Sequence, residues 1–116
     1  MKKDYSAPSI MVFLNEKVEE ETILEVLYGI EEEGIPFALK KEIDDDSKKL
    51  AHLASNRSKL SVGIGIDSKG NISLTTDKLK EDSPLFINSL KNGESTLRSL
   101  GANGARLVKG MPLKNL

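Results

Sequence analysis

The sequence predicts an α/β fold around a mixed sheet of five strands, and three observations predict it. Strand-length apolar runs alternate twice with segments of helical periodicity, an order that gives a parallel sheet with right-handed crossovers. The span Asp67-Ser68-Lys69-Gly70-Asn71 joins the third and fourth strands in too few residues for a crossover, which needs a dozen or more, so those two strands pair antiparallel. A chain of 116 residues is also long enough for one core that buries about two-thirds of its unfolded surface. Residues 1–116 are therefore read as one domain, without an internal repeat or linker.

Taken in order, Ser9-Ile10-Met11-Val12-Phe13-Leu14 is a continuous apolar run after Ala7-Pro8, as in a strand buried on both faces. Between positions 20 and 33, Ile23, Leu24, Leu27, Tyr28 and Ile30 recur at helical spacing with Glu25 on the other side, an amphipathic helix packed on that strand. Gly34 suits the left-handed position after a helix end, and Pro36 prevents a restart. Phe37-Ala38-Leu39 opens a short second strand that ends in the charged run 40–46. Asp46 or Ser47 can cap a helix through Leu50, Leu53 and Ala54. In the third strand, Val62-Gly63-Ile64-Gly65-Ile66, the two glycines imply close approach by a neighbour. The fourth strand is 72–76 and the fifth 84–88. The last helix, 95–109, carries Leu97, Leu100, Gly101, Gly104 and Val108 on one face, with Arg98, Arg106 and Lys109 outside it. Each glycine there costs about 1 kcal/mol relative to alanine, so both are expected where the helix backbone presses on the sheet.

Composition excludes several functions. There is no cysteine, hence no disulfide and no thiolate metal site, which fits a reducing compartment. No apolar run approaches the roughly 20 residues of a membrane span, and the N-terminus lacks a signal peptide's apolar stretch, so the expectation is a cytoplasmic protein with no membrane partner. Three phenylalanines, two tyrosines and no tryptophan do not make the interleaved aromatic and basic surface that stacks bases, so no nucleic acid is expected as a ligand. The net charge of −1 hides an asymmetry: residues 16–46 carry 12 acids and 3 bases, whereas 47–116 carry 12 bases and 5 acids.

The acidic half contains the most informative stretch, Gly29-Ile30-Glu31-Glu32-Glu33-Gly34-Ile35-Pro36-Phe37. Three carboxylates at a helix C-terminus oppose the macrodipole, which favours cations there by roughly 0.3–1 kcal/mol per charge. Either the end is fully hydrated or a cation from elsewhere sits against it. Three consecutive positions are set about 100° apart and span about 200° of a helix, so the glutamates cannot all point one way. The middle one can project outward, and a single carboxylate is a hard oxygen ligand of the kind magnesium takes one or two of per site, the remaining ligands coming from another chain.

Other constellations carry less. The lone His52 has no converging partner and reads as an exposed or hydrogen-bonded helical residue. Gly63 and Gly65 lie in a strand, lack a third glycine and a following helix, and no Walker lysine motif exists, so this chain alone is not expected to bind a nucleotide. Asp44-Asp45-Asp46 lacks a calcium loop's spaced ligands and reads as a solvated loop that caps a helix. Asp67, Thr75 or Thr76 and Lys91 suggest a phosphoacceptor receiver domain. Asn15-Glu16 instead of an acidic pair after the first strand, and the short third connection, oppose that reading.

Ser6-Ala7-Pro8, the glutamate block through Phe37, Val62 to Asp67, Ser83-Pro84-Leu85-Phe86 and the closing Asn103-Gly104-Ala105-Arg106-Leu107-Val108-Lys109-Gly110-Met111-Pro112 together resemble the small subunit of the reactivating factor for adenosylcobalamin-dependent diol and glycerol dehydratases. Residues 40–59 and 78–82 do not take part in the match. The resemblance implies a three-layer α/β/α sandwich related to the dehydratase medium subunit, its mixed five-stranded sheet having strand 4 antiparallel. It implies a non-catalytic chaperone-like subunit that pairs with a large Hsp70-like ATPase subunit, two large and two small chains together, with ATP or ADP on the large one. By exchange with the dehydratase medium subunit, such a factor opens an inactivated dehydratase and releases its damaged cobalamin. Glu32 would then be the ligand offered to magnesium held by the large subunit, with Glu31, Glu33, Phe37, Arg106 and Lys109 as interface residues. A bacterial microcompartment is open as a location. The rival readings are the dehydratase medium subunit itself, disfavoured because only eight residues precede the first strand, and a receiver-type signalling domain.

Overall fold

Period-two alternation divides the strands between two unequal faces, and that division dictates where the helices go. In the computed structural model, which describes residues 7–116, Ile10, Val12 and Leu14 of β1 (Ile10–Asn15) belong to one buried cluster, and Met11 and Phe13 to another. A 3₁₀ turn, Glu20–Ile23, leads into α1 (Leu24–Glu32). There follow β2 (Phe37–Glu42), α2 (Ser47–Arg57), β3 (Val62–Ile66), β4 (Asn71–Thr76), β5 (Phe86–Ser89), a second 3₁₀ turn at Leu90–Asn92, and α3 (Glu94–Lys109). Ser6 of the Ser-Ala-Pro block lies outside the described residues.

The sheet order is β2-β1-β3-β4-β5, with β1 parallel to β2 and β3, and β4 antiparallel to both its neighbours. Strand 4 is therefore the one reversed strand, as the connection lengths require. One face carries Ile10, Val12, Leu39, Ile64, Ile72 and Leu74, all buried, and α1 and α3 cover it through Val26, Ile30, Leu97 and Leu100. On the opposite face β3 and β4 supply small residues beside Met11 and Phe13 of β1. Gly63, Gly65 and Ser73 lie under α2, whose Leu50 and Ala54 pack with Met11 and Phe13. A Cβ on Gly63 would stand 2.2 Å from the Ser55 nitrogen and one on Gly65 2.3 Å from that of Ala51, so α2 rests directly on β3. Ser47 Oγ and Ser73 Oγ, both buried, satisfy each other at 2.9 Å.

Three details differ from the sequence expectation. The second strand continues through Lys40, Lys41 and Glu42, because β2 is an edge strand paired only with β1 and its charged side chains have uses there. Lys40 stands over the Phe13 ring at 5.7 Å, and Lys41 donates to the Val18 carbonyl. The fifth strand begins at Phe86, after Pro84 rather than with it. Of the two α3 glycines, only Gly104 faces the sheet, and at ordinary contact distance, 3.5 Å to Leu74 from an added Cβ. Gly101 presses on α1 instead: its Cβ would lie 1.9 Å from the Val26 carbonyl oxygen, while one on Gly29 would lie 2.0 Å from that of Arg98.

This contrast is testable by equilibrium unfolding. Gly101→Ala forces two helix backbones apart and is expected to destabilise the fold by about 3 kcal/mol, the upper end of ordinary overpacking. Gly104→Ala is expected to be neutral or stabilising by up to about 1 kcal/mol, since it removes a helix-interior glycine where space exists. Equal losses at both positions would contradict the helix contact.

Candidate functional site

The backbone contact between α1 and α3 brings the C-terminal ends of the two helices together, so two negative dipole ends share one corner of the molecule. α1 stops because Gly34, at φ +77°, accepts the left-handed position, and its N–H returns to the Glu31 carbonyl at 2.9 Å. The carboxylates of the glutamate block are thereby delivered next to the basic side chains of α3. The choice left open by the sequence resolves toward cations from elsewhere in the chain.

The three glutamates have three environments. Glu33 is held: Lys109 Nζ donates to its backbone oxygen and to Oε1, both at 2.8 Å, and Arg106 Nε donates to Oε2 at 3.3 Å. Only 14% of its side chain is exposed. The Lys109 hydrogen bond lowers its pKa from the ordinary 4.5; partial desolvation opposes that, and the Arg106 hydrogen bond reinforces it. Lys109 also caps a terminal carbonyl of α1, as a cation at a helix C-terminus should. Arg106 further donates from Nη1 to the Pro112 carbonyl at 3.1 Å, tying the segment after α3 to the same corner. Glu31 is exposed. Glu32 lies between these extremes, its side chain 52% exposed with one polar contact among the described residues, from Arg98 Nη1 at 3.4 Å.

Arg98, expected only to lie outside the apolar face of the last helix, joins the site. Its Nε and Nη2 reach Glu25 Oε1 at 2.9 and 2.8 Å, and its guanidinium lies 5.7 Å from the centre of the Tyr28 ring. Glu25, Tyr28 and Glu32 follow one another along a single face of α1, so the periodicity was a usable signal. Their meeting with Arg98 depends on how α3 is set against α1, which no local pattern encodes. Phe37, at the start of β2, is half-buried against the main core.

The remaining sequence candidates are accounted for structurally. Asp46 caps α2, accepting from the N–H groups of Lys48 at 2.9 Å and Lys49 at 3.4 Å. Asp44 pairs with Lys49 at 3.3 Å, and Asp45 accepts from the Ser68 amide and hydroxyl, which hold its pKa below the ordinary carboxylate range. Asp67 is buried and closes the β3–β4 turn by accepting from the Lys69 and Asn71 amides at 2.9 Å and from Asn71 Nδ2 at 3.0 Å, so its carboxylate serves the turn. His52 is half-buried on α2 and its Nδ1 finds no hydrogen-bond partner among the described residues, unlike the exposed or bonded histidine expected. Among the described residues no three His, Cys, Asp or Glu side chains converge as a metal site, and no helix is long and apolar enough to cross a membrane.

This arrangement sits on a fold with close counterparts. The family model for the dehydratase medium subunit matches residues 7–114. The propanediol dehydratase-reactivating factor small subunit of Citrobacter freundii is 36% identical over 114 residues, covering 98% of this chain and 97% of its own. The chain belongs to the dehydratase medium-subunit family, among the small subunits of dehydratase-reactivating factors. A solved glycerol dehydratase reactivase superposes with a TM-score of 0.90 at 33% identity, covering 94% of this chain and 98% of that one. A diol dehydratase-reactivating factor complexed with ADP and Mg2+ superposes at 0.88 and 35% identity, covering 94% and 99%. These two solved structures thus share the overall α/β fold described above.

Because the folded pKa of Glu33 is depressed, its contribution to stability is complete above 4.5 and disappears as pH falls through the folded value. Thermal unfolding of the native protein and of Glu33→Gln should differ by a constant amount from pH 7 down to about 4.5, and the difference should shrink below that. A difference independent of pH throughout would contradict the clamp.

Proposed function

We propose that residues 1–116 act as one non-catalytic small-subunit domain of a reactivating factor for an adenosylcobalamin-dependent diol or glycerol dehydratase. In this reading the chain pairs with a large ATPase subunit, as two large and two small chains, and takes the place of the dehydratase medium subunit. That exchange opens the inactivated enzyme and releases its damaged cobalamin, with ATP hydrolysis on the large subunit timing the cycle in the cytoplasm or in a bacterial microcompartment. Relatives named as reactivating-factor small subunits, alike over nearly the whole chain, support it.

The observation that carries the reading is the division of labour in the glutamate block. Glu33 is neutralised by Arg106 and Lys109, so the acidic end of α1 is stable without a ligand, while Glu32 keeps an outward, half-exposed carboxylate. One hard oxygen donor cannot hold magnesium alone, but it completes a site whose other oxygens are nucleotide phosphates, water and a partner's groups. The residues present fit a magnesium ion shared with the large subunit, where bound ADP or ATP supplies the phosphates. Glu32 is the ligand in trans, and the adjacent Glu31, Glu33, Arg106 and Lys109, with Phe37 at the start of β2, form the surrounding contact surface.

Glu32→Gln keeps the shape and removes the charge. Association with the large subunit, followed by calorimetry with and without magnesium, should lose its magnesium-dependent part by at least about tenfold, the loss typical of even an outer-shell metal partner. Unchanged magnesium dependence would exclude Glu32 as the ligand.

A further inference from the structure

We infer that Arg98 is the resident counter-ion of Glu32, and that it sets how much magnesium is needed before the acidic tip docks. The inference rests on the reading of Glu32 given above.

Four contacts decide how Arg98 behaves. Its backbone is fixed, because its carbonyl oxygen lies against Gly29 where a Cβ would stand only 2.0 Å away. Its guanidinium is anchored by Nε and Nη2 on Glu25 Oε1 at 2.9 and 2.8 Å and lies by the Tyr28 ring. Nη1 alone reaches Glu32, at 3.4 Å. The arginine is thus built into the α1–α3 contact through Glu25, and its hold on Glu32 is the weakest of these interactions. When Glu32 moves toward a cation, the guanidinium stays.

Two effects of Arg98 on cation binding then oppose each other. It restricts the Glu32 side chain, which favours binding, and it places a positive charge beside the position a cation must take, which disfavours binding. An exposed pair of this length orients its carboxylate by a factor of about two to five at most. The repulsion acts on a divalent ion, so it counts double per unit distance relative to a single charge, and exposure screens both effects alike. Repulsion wins. Glu25 moderates it, since the carboxylate that anchors the guanidinium offsets part of its charge. The result is a threshold: Arg98 occupies Glu32 in the free chain, and a dication already held by nucleotide and partner outcompetes it where a monovalent ion does not.

The distinguishing test uses two variants that break the same ion pair in opposite senses. In the complex of the full chain with the ADP-loaded large subunit, association is measured as a function of magnesium concentration. Arg98→Gln should lower the half-saturating magnesium concentration by about fivefold. Glu25→Gln, which leaves the guanidinium free to turn fully onto Glu32, should raise it. Both remove the Glu25–Arg98 pair, so a purely structural role predicts shifts in the same direction, and thermal unfolding of each free chain reports the shared stability loss. Arg98→Lys, which keeps the charge, should stay near the native value. Shifts in the same direction, or none, with Glu32→Gln still abolishing the magnesium dependence, would overturn the role of Arg98 and leave that of Glu32 standing. If Glu32→Gln changes nothing, or the large subunit does not bind, both fall.

Discussion

The packing of α1 on α3 at backbone contact through Gly29 and Gly101 is the constraint from which the acidic corner follows. Gly29 and Gly101 let the two backbones touch, and an added Cβ at either would come within 2.0 Å of a carbonyl oxygen of the other helix. At that separation Arg98, Arg106 and Lys109 of α3 fall within reach of Glu25, Glu32 and Glu33 of α1. Two helix C-termini placed together concentrate partial negative charge, and the glutamate block adds full charges to it. Without the α3 cations this corner would oppose folding. With them, one carboxylate is absorbed into the structure and its neighbour is left presented.

The same reasoning explains why the other face of the sheet looks so different. There α2 descends onto Gly63, Gly65 and Ser73, and polar contacts such as Ser47–Ser73 replace aliphatic layers. Close approach substitutes for side-chain volume on both faces: helix on strand at α2, helix on helix at α1 and α3. The fold is therefore intolerant of added methyl groups at the glycines in these contacts. Gly104, which has room, is the exception.

Much of this was legible in the sequence, and the parts that were not share a cause. The five strands, the reversed fourth strand, the Asp46 cap and the Gly34 stop follow from local periodicity, connection length and cap chemistry, each contained within a few residues. The glycine pair of β3 announced a close neighbour correctly, because a strand interior has few other uses for glycine. Gly101 announced one as well, but which neighbour depends on the relative setting of two helices some 70 residues apart in the chain. The partners of Arg98, Glu25 and Glu32, were hidden for the same reason. The edge strand β2 was read short because its lysines look like a loop until the Phe13 ring and the Val18 carbonyl are seen to receive them. The glutamate block signalled an anomaly, and only tertiary contacts told which carboxylate resolves it and which remains.

The account stands on the claim that Glu32 is left presented for a cation that another chain holds. A structure of the small chain bound to its large subunit with ADP and magnesium tests this most directly. A Glu32 carboxylate oxygen about 2.0–2.1 Å from the metal, with Glu33 still gripped by Arg106 and Lys109, is the predicted result. A magnesium whose coordination is completed by the large subunit, nucleotide and water alone, with Glu32 facing solvent, would contradict it.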